Sequence, residues 1–438
     1  MTTTLLTLKQ RLAEQIGDYL SFDTTTNITT DNSVISTELT SYDGGRDDYF
    51  NEWWVYIMGV ANDVVERQIS DYATSAGTLT VRGAALAAES AAVTCQLHRH
   101  SLDLYVDAIN DAIREIYPVL HRKLDVAELV TGNILPNSHF RDWASTALPD
   151  KWAVSNAAAT ASTAIGTYRG GKKSAKVTPT ATDGYLYISS DTYPRLLDIM
   201  DKTVSIRGYA YPEVANDPKL IIYTNDTAGS TQTLSTATAA SAGVFTKLEL
   251  EDQAINDNLE EVQIRCQVAS STKYTYFDHV RLIGADVNEY LLPTDFKDGT
   301  IDEVHIQSSG YSDEICDDLH PTQWEKVYGW EIINDGTDEF LKLPYLYPTE
   351  RLIRLLGYAP LSTVSLDANT VELDGEKVNL LIAYAKYKLY TYIEPPVSTQ
   401  DIRRYETGSM KAYSEYMRLK TKLAMSKGSP TMNLGVLK

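Results

Sequence analysis

The chain has 438 residues, 39 Lys and Arg against 59 Asp and Glu for a net charge of −20, and 43% apolar residues. That apolar content suffices for two or three buried cores, which excludes disorder as the default state. The longest strongly apolar run, Leu380 to Ala385, falls far short of the ~20 residues a membrane-crossing helix needs, so no membrane partner is expected.

The start, Met1 to Leu6, carries no basic segment ahead of an apolar stretch, and no signal peptide is expected. Leu5, Leu8, Leu12, Ile16 and Tyr19 recur three or four apart and predict an amphipathic helix over the first twenty residues. Strand signals follow at Trp53 to Ile57, Glu66 to Ser70 and Gly77 to Val81, separated by Gly, Asn and Asp turns, and read as a small β insertion at about 22–97. A second helix is predicted from Leu102 to Leu120. Tyr105, Ile109, Ile113 and Ile116 lie on one face, Asp103, Asp107 and Arg114 on the other, and Ser101 is its N-cap.

Composition changes near Thr131. Residues 153–165 are almost entirely Ala, Ser and Thr. Short alternating runs then follow at Ser174 to Thr178, Tyr185 to Ser189, Thr203 to Tyr211, Lys219 to Thr224, Phe245 to Leu250, Glu261 to Val268 and Tyr274 to Leu282. Their spacing predicts an all-β sandwich over 131–285. Beyond Asp286, strands are expected at Glu303 to Gln307, Leu341 to Leu343, Arg351 to Tyr358 and Thr370 to Leu373. Two helices close the chain. Val378, Leu381, Ile382, Ala385, Leu389 and Tyr392 form one stripe, stopped by Pro395 and Pro396; the other helix begins at Ser398 and runs to Lys427, before Gly428, Ser429 and Pro430.

Neither terminal helical segment can bury its stripe alone. The fold class expected is therefore α+β: a discontinuous helical core in which 286–438 packs back on 1–130, carrying the small β insertion and the inserted sandwich. Charge is uneven as well. Glu376 to Lys438 holds eleven basic and five acidic residues, leaving −26 on residues 1–375. The body repels polyanions, while the basic end is free to meet an acidic partner.

Motifs for catalysis or cofactors are weak. Gly166 to Lys173 approaches a phosphate-binding loop, but Lys173 stands where a Ser or Thr should hold magnesium, and the following residues read as strand rather than helix. His98 and His100 share one side of a strand without a third ligand at recognisable spacing, so no metal is expected. Asp47-Asp48 and Asp317-Asp318 are sequence neighbours in turns, a poor arrangement for an acid and base flanking a glycosidic bond. With no nucleophile elbow, zinc-binding helix pair or Cys-x-x-Cys, the chain is not expected to be an enzyme, and no cofactor is expected. Cys95, Cys266 and Cys316 are odd in number and scattered, which argues against a disulfide framework and for assembly in a reducing compartment.

Two resemblances sharpen these expectations. Asn133-Ile-Leu-Pro-Asn137, Phe140-Arg-Asp-Trp143, Leu148-Pro-Asp-Lys-Trp152, Gly170-Gly-Lys-Lys-Ser-Ala-Lys-Val177 and Tyr276-Phe-Asp-His-Val-Arg-Leu282 resemble the opening and closing strands of jelly-roll carbohydrate-binding modules. Such modules stack aromatic side chains of a concave face on sugar rings. The resemblance nominates Trp143, Trp152, Tyr185, Tyr187 and Tyr209 for contact with a surface glycan, with core packing as their other use. The flanking parts resemble phage head-to-tail connector (adaptor) proteins. The features are Leu102 to Tyr117, Tyr290-Leu-Leu-Pro-Thr-Asp-Phe296, Trp324, Leu341-Lys-Leu343, and Leu380 to Tyr390 leading to the long final helix. This resemblance implies a structural virion protein of the neck, assembled in the host cytoplasm as a homo-oligomeric ring, commonly a dodecamer. Its partners would be the portal protein, the tail tube or nozzle, tail fibre proteins and, in transit, double-stranded DNA. Arg403, Arg404, Lys411, Arg418, Lys420 and Lys422 would then form the portal-docking surface. The alternative is a carbohydrate-binding tail or receptor-recognition protein.

Overall fold

The computed structural model describes residues 2–164, 166–168, 172–237, 241–297, 299–308, 323–373, 375–393 and 399–426. Gly170, Gly171, Cys316, the Asp317-Asp318 pair, Pro395, Pro396 and the segment 427–438 lie outside the described residues. The chain divides into two compact units, Met1–Arg122 with Pro360–Lys438, and Lys123–Ala359.

The first unit holds helices α1 (Leu5–Ile16), α2 (Leu102–Ile116), α3 (Gly375–Tyr392) and α4 (Thr399–Ser426). The Thr4 side chain caps α1 by accepting from the Thr7 amide at 3.3 Å, and Gly17, at φ 71°, ends it in the left-handed conformation that glycine adopts without a Cβ penalty. The apolar stripes meet in one cluster: Leu5, Leu8 and Leu12 of α1, Tyr105, Ile109 and Ile113 of α2, Leu381, Ala385 and Leu389 of α3, and Tyr416 of α4. Polar links cross between helices, with the Tyr384 hydroxyl donating to Glu115 at 2.6 Å and Lys388 pairing with the same carboxylate. Thr3–Thr4 pairs antiparallel with Thr370–Val371, tying the chain start to the returning segment. Residues 20–98 form a six-stranded antiparallel sheet whose own core includes Phe22, Val34, Phe50, Ile69 and Tyr72.

The second unit contains a sandwich of ten strands: β1 (Ala153–Ser155), β2 (Ala157–Ser162), β3 (Ser174–Pro179), β4 (Gly184–Ser189), β5 (Thr203–Pro212), β6 (Pro218–Asp226), β7 (Thr231–Ser235), β8 (Thr246–Ala254), β9 (Leu259–Val268) and β10 (Thr275–Ile283). One sheet has the order β1-β4-β9-β6-β7 and the other β2-β3-β10-β5-β8. From β3 onward the chain changes sheet at every connection except the β6–β7 hairpin, which is jelly-roll winding. Period-2 patterning drives it. On β9, Val262, Ile264, Cys266 and Val268 are buried while Gln263, Arg265 and Gln267 alternate outward. Asn133 pins the opening segment to the last strand, its side-chain oxygen accepting from the Leu135 and Leu282 amides at 3.1 and 3.0 Å. Three smaller sheets complete the unit. One is four-stranded, formed by Trp324–Val327, Thr300–Gln307, Leu352–Ala359 and Arg122–Val130; another is three-stranded, formed by Glu289–Leu291, Glu339–Lys342 and Glu331–Asn334; the third pairs Trp143–Ser145 with Leu148–Pro149.

The expected fold class, a discontinuous helical core of adaptor type with β insertions, is corrected. The molecule is mostly β, about 40% strand against 20% helix. Three of the four hydrophobic clusters among the described residues are built chiefly from strands and the loops beside them, and the helices supply only one. Strongly periodic helical stripes at the chain ends outweigh, in a sequence reading, short strands rich in Ala, Ser and Thr.

Candidate functional site

The outward face of the β1-β4-β9-β6-β7 sheet gathers aromatic and hydrogen-bonding side chains in register. Across the sheet, Tyr185 pairs with Gln267 and then Lys219, Tyr187 with Arg265 and then Ile221, and Gln263 with Tyr223 and then Thr233. Each of these side chains occupies the outward parity because its strand neighbours, such as Leu186, Ile188, Ile222 and Ile264, fill the core.

Arg265 is the centre of this face. Its guanidinium lies 4.0 Å from the Tyr223 ring centroid and 4.7 Å from that of Tyr185, and its Nε donates to the Gln263 amide oxygen at 2.8 Å. Gln263 in turn donates to the Glu261 carboxylate. Tyr185 and Tyr187 meet edge-to-face, with centroids 5.5 Å apart. The cation is held between two rings and one amide, so little side-chain freedom remains to be lost when a ligand arrives. Chemically, the face offers ring surfaces beside fixed donors and acceptors on one plane. That combination suits a ligand with apolar C–H faces and hydroxyl edges.

Of the side chains nominated from the sequence, Tyr185 and Tyr187 lie together here. The other three are elsewhere. Trp152 is 4% exposed, donates its indole N–H to the Pro136 carbonyl at 3.3 Å and packs against Phe140. Trp143 donates to the Phe140 carbonyl at 2.6 Å and leans on the sandwich core. Tyr209 is buried on β5 in the opposite sheet, 6.2 Å from the His279 ring. Tyr223 and Arg265 were not anticipated; their alternation was visible, but the register that brings β6, β9 and β4 together is a long-range fact.

On α4, Arg403, Lys411 and Arg418 are exposed, Lys422 pairs with Glu376 at 2.6 Å, and Lys420 stands 5.8 Å over the Tyr416 ring. At 100° per residue, Arg403, Lys411, Arg418 and Lys422 fall within an arc of about 100°, and Lys420 falls outside it. The Arg404 side chain is outside the described residues. His98 is buried with Nδ1 2.9 Å from the Asp18 carbonyl oxygen, and burial lowers its pKa from the usual histidine value. Lys173 leads directly into β3 and opens no helix. Asp47 accepts from the Thr74 amide at 2.8 Å in a turn.

No protein-family model matches the chain, and no curated protein matches it. Among solved structures, a segment is weakly similar to jelly-roll carbohydrate-binding modules. A xylan-binding domain of family 22 matches at 13% identity and a TM-score of 0.29, over 36% of this chain and 97% of that one. The first family 22 xylan-binding domain of Paenibacillus barcinonensis Xyn10C matches at 15% identity and 0.28, over 38% and 99%. A family 61 module in complex with β-1,4-galactotriose matches at 12% identity and 0.26, over 35% and 98%. The connector reading gains no support from these similarities.

Proposed function

We propose that the sandwich binds carbohydrate through the outward face of the β1-β4-β9-β6-β7 sheet. One observation carries this reading: three tyrosine rings, Tyr185, Tyr187 and Tyr223, are grouped around a guanidinium and an amide that are already fixed in place. The rings supply apolar surface for the C–H face of a pyranose, and Arg265, Gln263 and Glu261 supply donors and acceptors for adjacent hydroxyls. The chain as a whole carries −20, which favours a neutral glycan over a polyanionic one.

The test is a glycan array probed with the full chain, followed by calorimetric titration of the hits. Selective binding of neutral oligosaccharides is expected. Tyr223→Ala and Arg265→Ala should each weaken it at least about tenfold, or ~1.4 kcal/mol, with melting temperatures little changed because these side chains project away from the core. A silent array, or hits indifferent to both substitutions, rejects the reading.

A further inference from the structure

A cleft of about 660 Å³ lies within the second unit, away from the sheet face, and shares no residue with it. Its walls come from four segments: Glu128 and Leu129, 137–152 ahead of the sandwich, Leu291 to Lys297, and the turn from Asn334 to Glu339. The lining includes apolar residues, Leu148, Pro149, Trp152, Leu292 and Pro293. Its polar side chains are already organised by pairing. Arg141 bonds Glu128 at 2.9 Å and also Asp295, and Lys151 bonds Asp338 at 2.6 Å. A volume of this size and a mixed lining belong to the range of small-molecule sites.

The cleft is also lined by a buried histidine. His139 is 3% exposed and hydrogen-bonded to the Glu128 backbone, with its ring centroid 4.0 Å from that of His279 and Nδ1 3.8 Å from an Asp278 carboxylate oxygen. Burial, with the charges of Arg281 and Arg141, pushes its pKa down to about 3, so near neutral pH the ring is uncharged and offers one donor and one acceptor.

We propose that this cleft is a second ligand site, taking a short neutral sugar segment whose apolar face lies on Leu148 and Pro149 and whose hydroxyls meet the Lys151–Asp338 pair. The existence of the site rests on the cleft alone; the sugar class rests on the function proposed above. Acidic lining side chains outnumber basic ones, Glu128, Asp142, Asp150, Asp338 and Glu339 against Arg141, Lys151 and Lys297, which disfavours uronic acids.

The full chain is titrated with cellotriose, xylotriose, mannotriose, galactotriose and maltotriose, with a triuronate as the charged control. Tryptophan fluorescence and calorimetry are the readouts. The experiment is repeated with the sheet face disabled by Tyr223→Ala and Arg265→Ala. Two cleft variants follow in that background. The first combines Lys151→Asn with Asp338→Asn; asparagine suits the left-handed φ of 69° at position 151. The second is Thr337→Arg, at an exposed turn position, which occludes the cleft without touching the pairs. The expected result is a neutral trisaccharide that still binds with the sheet face disabled and loses about tenfold in affinity in both cleft variants, each melting like its parent. Trisaccharide binding that depends only on the sheet face overturns this inference and leaves the proposed function standing. Binding confined to the cleft overturns the sheet-face reading instead, and no binding at either site overturns both.

Discussion

At the scale of one residue, His139 makes stability depend on pH in a stated direction. Its folded-state pKa of about 3 lies below the ~6.5 of an unfolded histidine. Between these values the unfolded chain takes up a proton that the folded chain does not, so the contribution is fully present above ~pH 6.5 and is lost as pH falls toward 3. The slope from one such group is about 1.4 kcal/mol per pH unit, or ~2 kcal/mol between pH 6.5 and 5. Burial lowers the pKa of His98 and His100 as well, so they add in the same sense. Denaturation of His139→Gln at those two pH values should show the loss reduced by about that amount; an unchanged loss would remove His139 from the account. Legibility at this scale followed chemistry rather than position. Asn133 and the two tryptophans of the opening segment were conspicuous in the sequence, and the structure uses the indoles of Trp143 and Trp152 as donors to nearby backbone carbonyls. Arg265 was inconspicuous, because its meaning arises only when β4 and β6 flank it.

At the scale of an element, α2 shows how far a local pattern reaches. Its 3.6-residue stripe buries Tyr105, Ile109, Ala112, Ile113 and Ile116, and Ser101 caps it by accepting from the Asp103 amide at 3.3 Å. Ile113→Ala should cost about 2–5 kcal/mol through lost transfer energy and the cavity left behind, whereas exposed Asp107→Ala should stay within ~0.5 kcal/mol. Equal midpoints for the two variants in urea would mean that the buried face of α2 is not what holds it. The sandwich strands were legible for the parallel reason that β9 alternates without interruption from Val262 to Val268. Less was legible in β2, where Ala157–Ser162 carries almost no apolar contrast and is held by its six-residue pairing with β3. The side chains covering α3 were also hard to read, since Tyr384 and Tyr387 lie outside its apolar stripe yet pack against Tyr416 and Tyr413 of α4.

At the scale of the whole molecule, the deciding feature is where each core draws its residues. The cluster of the six-stranded sheet is complete within residues 22–97, and the sandwich cluster within 134–340. The helical cluster alone takes its residues from both ends of the chain, with Leu12 and Ile113 meeting Leu381, Ala385 and Leu389. A fragment of residues 123–359 should therefore keep a β-rich circular dichroism spectrum and melt cooperatively, because its cores bring their own partners. A fragment of residues 1–122 should divide within itself. Hydrogen exchange should find amides of Trp54–Met58 and Thr94–His98 still protected, while those of α1 and α2 exchange freely, since their stripes have lost α3 and short isolated helices are marginal in water. Adding residues 360–438 as a separate polypeptide should restore protection to α1 and α2. Helices protected without it would mean that the residues returning from the far end of the chain are dispensable to that core, and that the two-ended cluster contributes little to its stability.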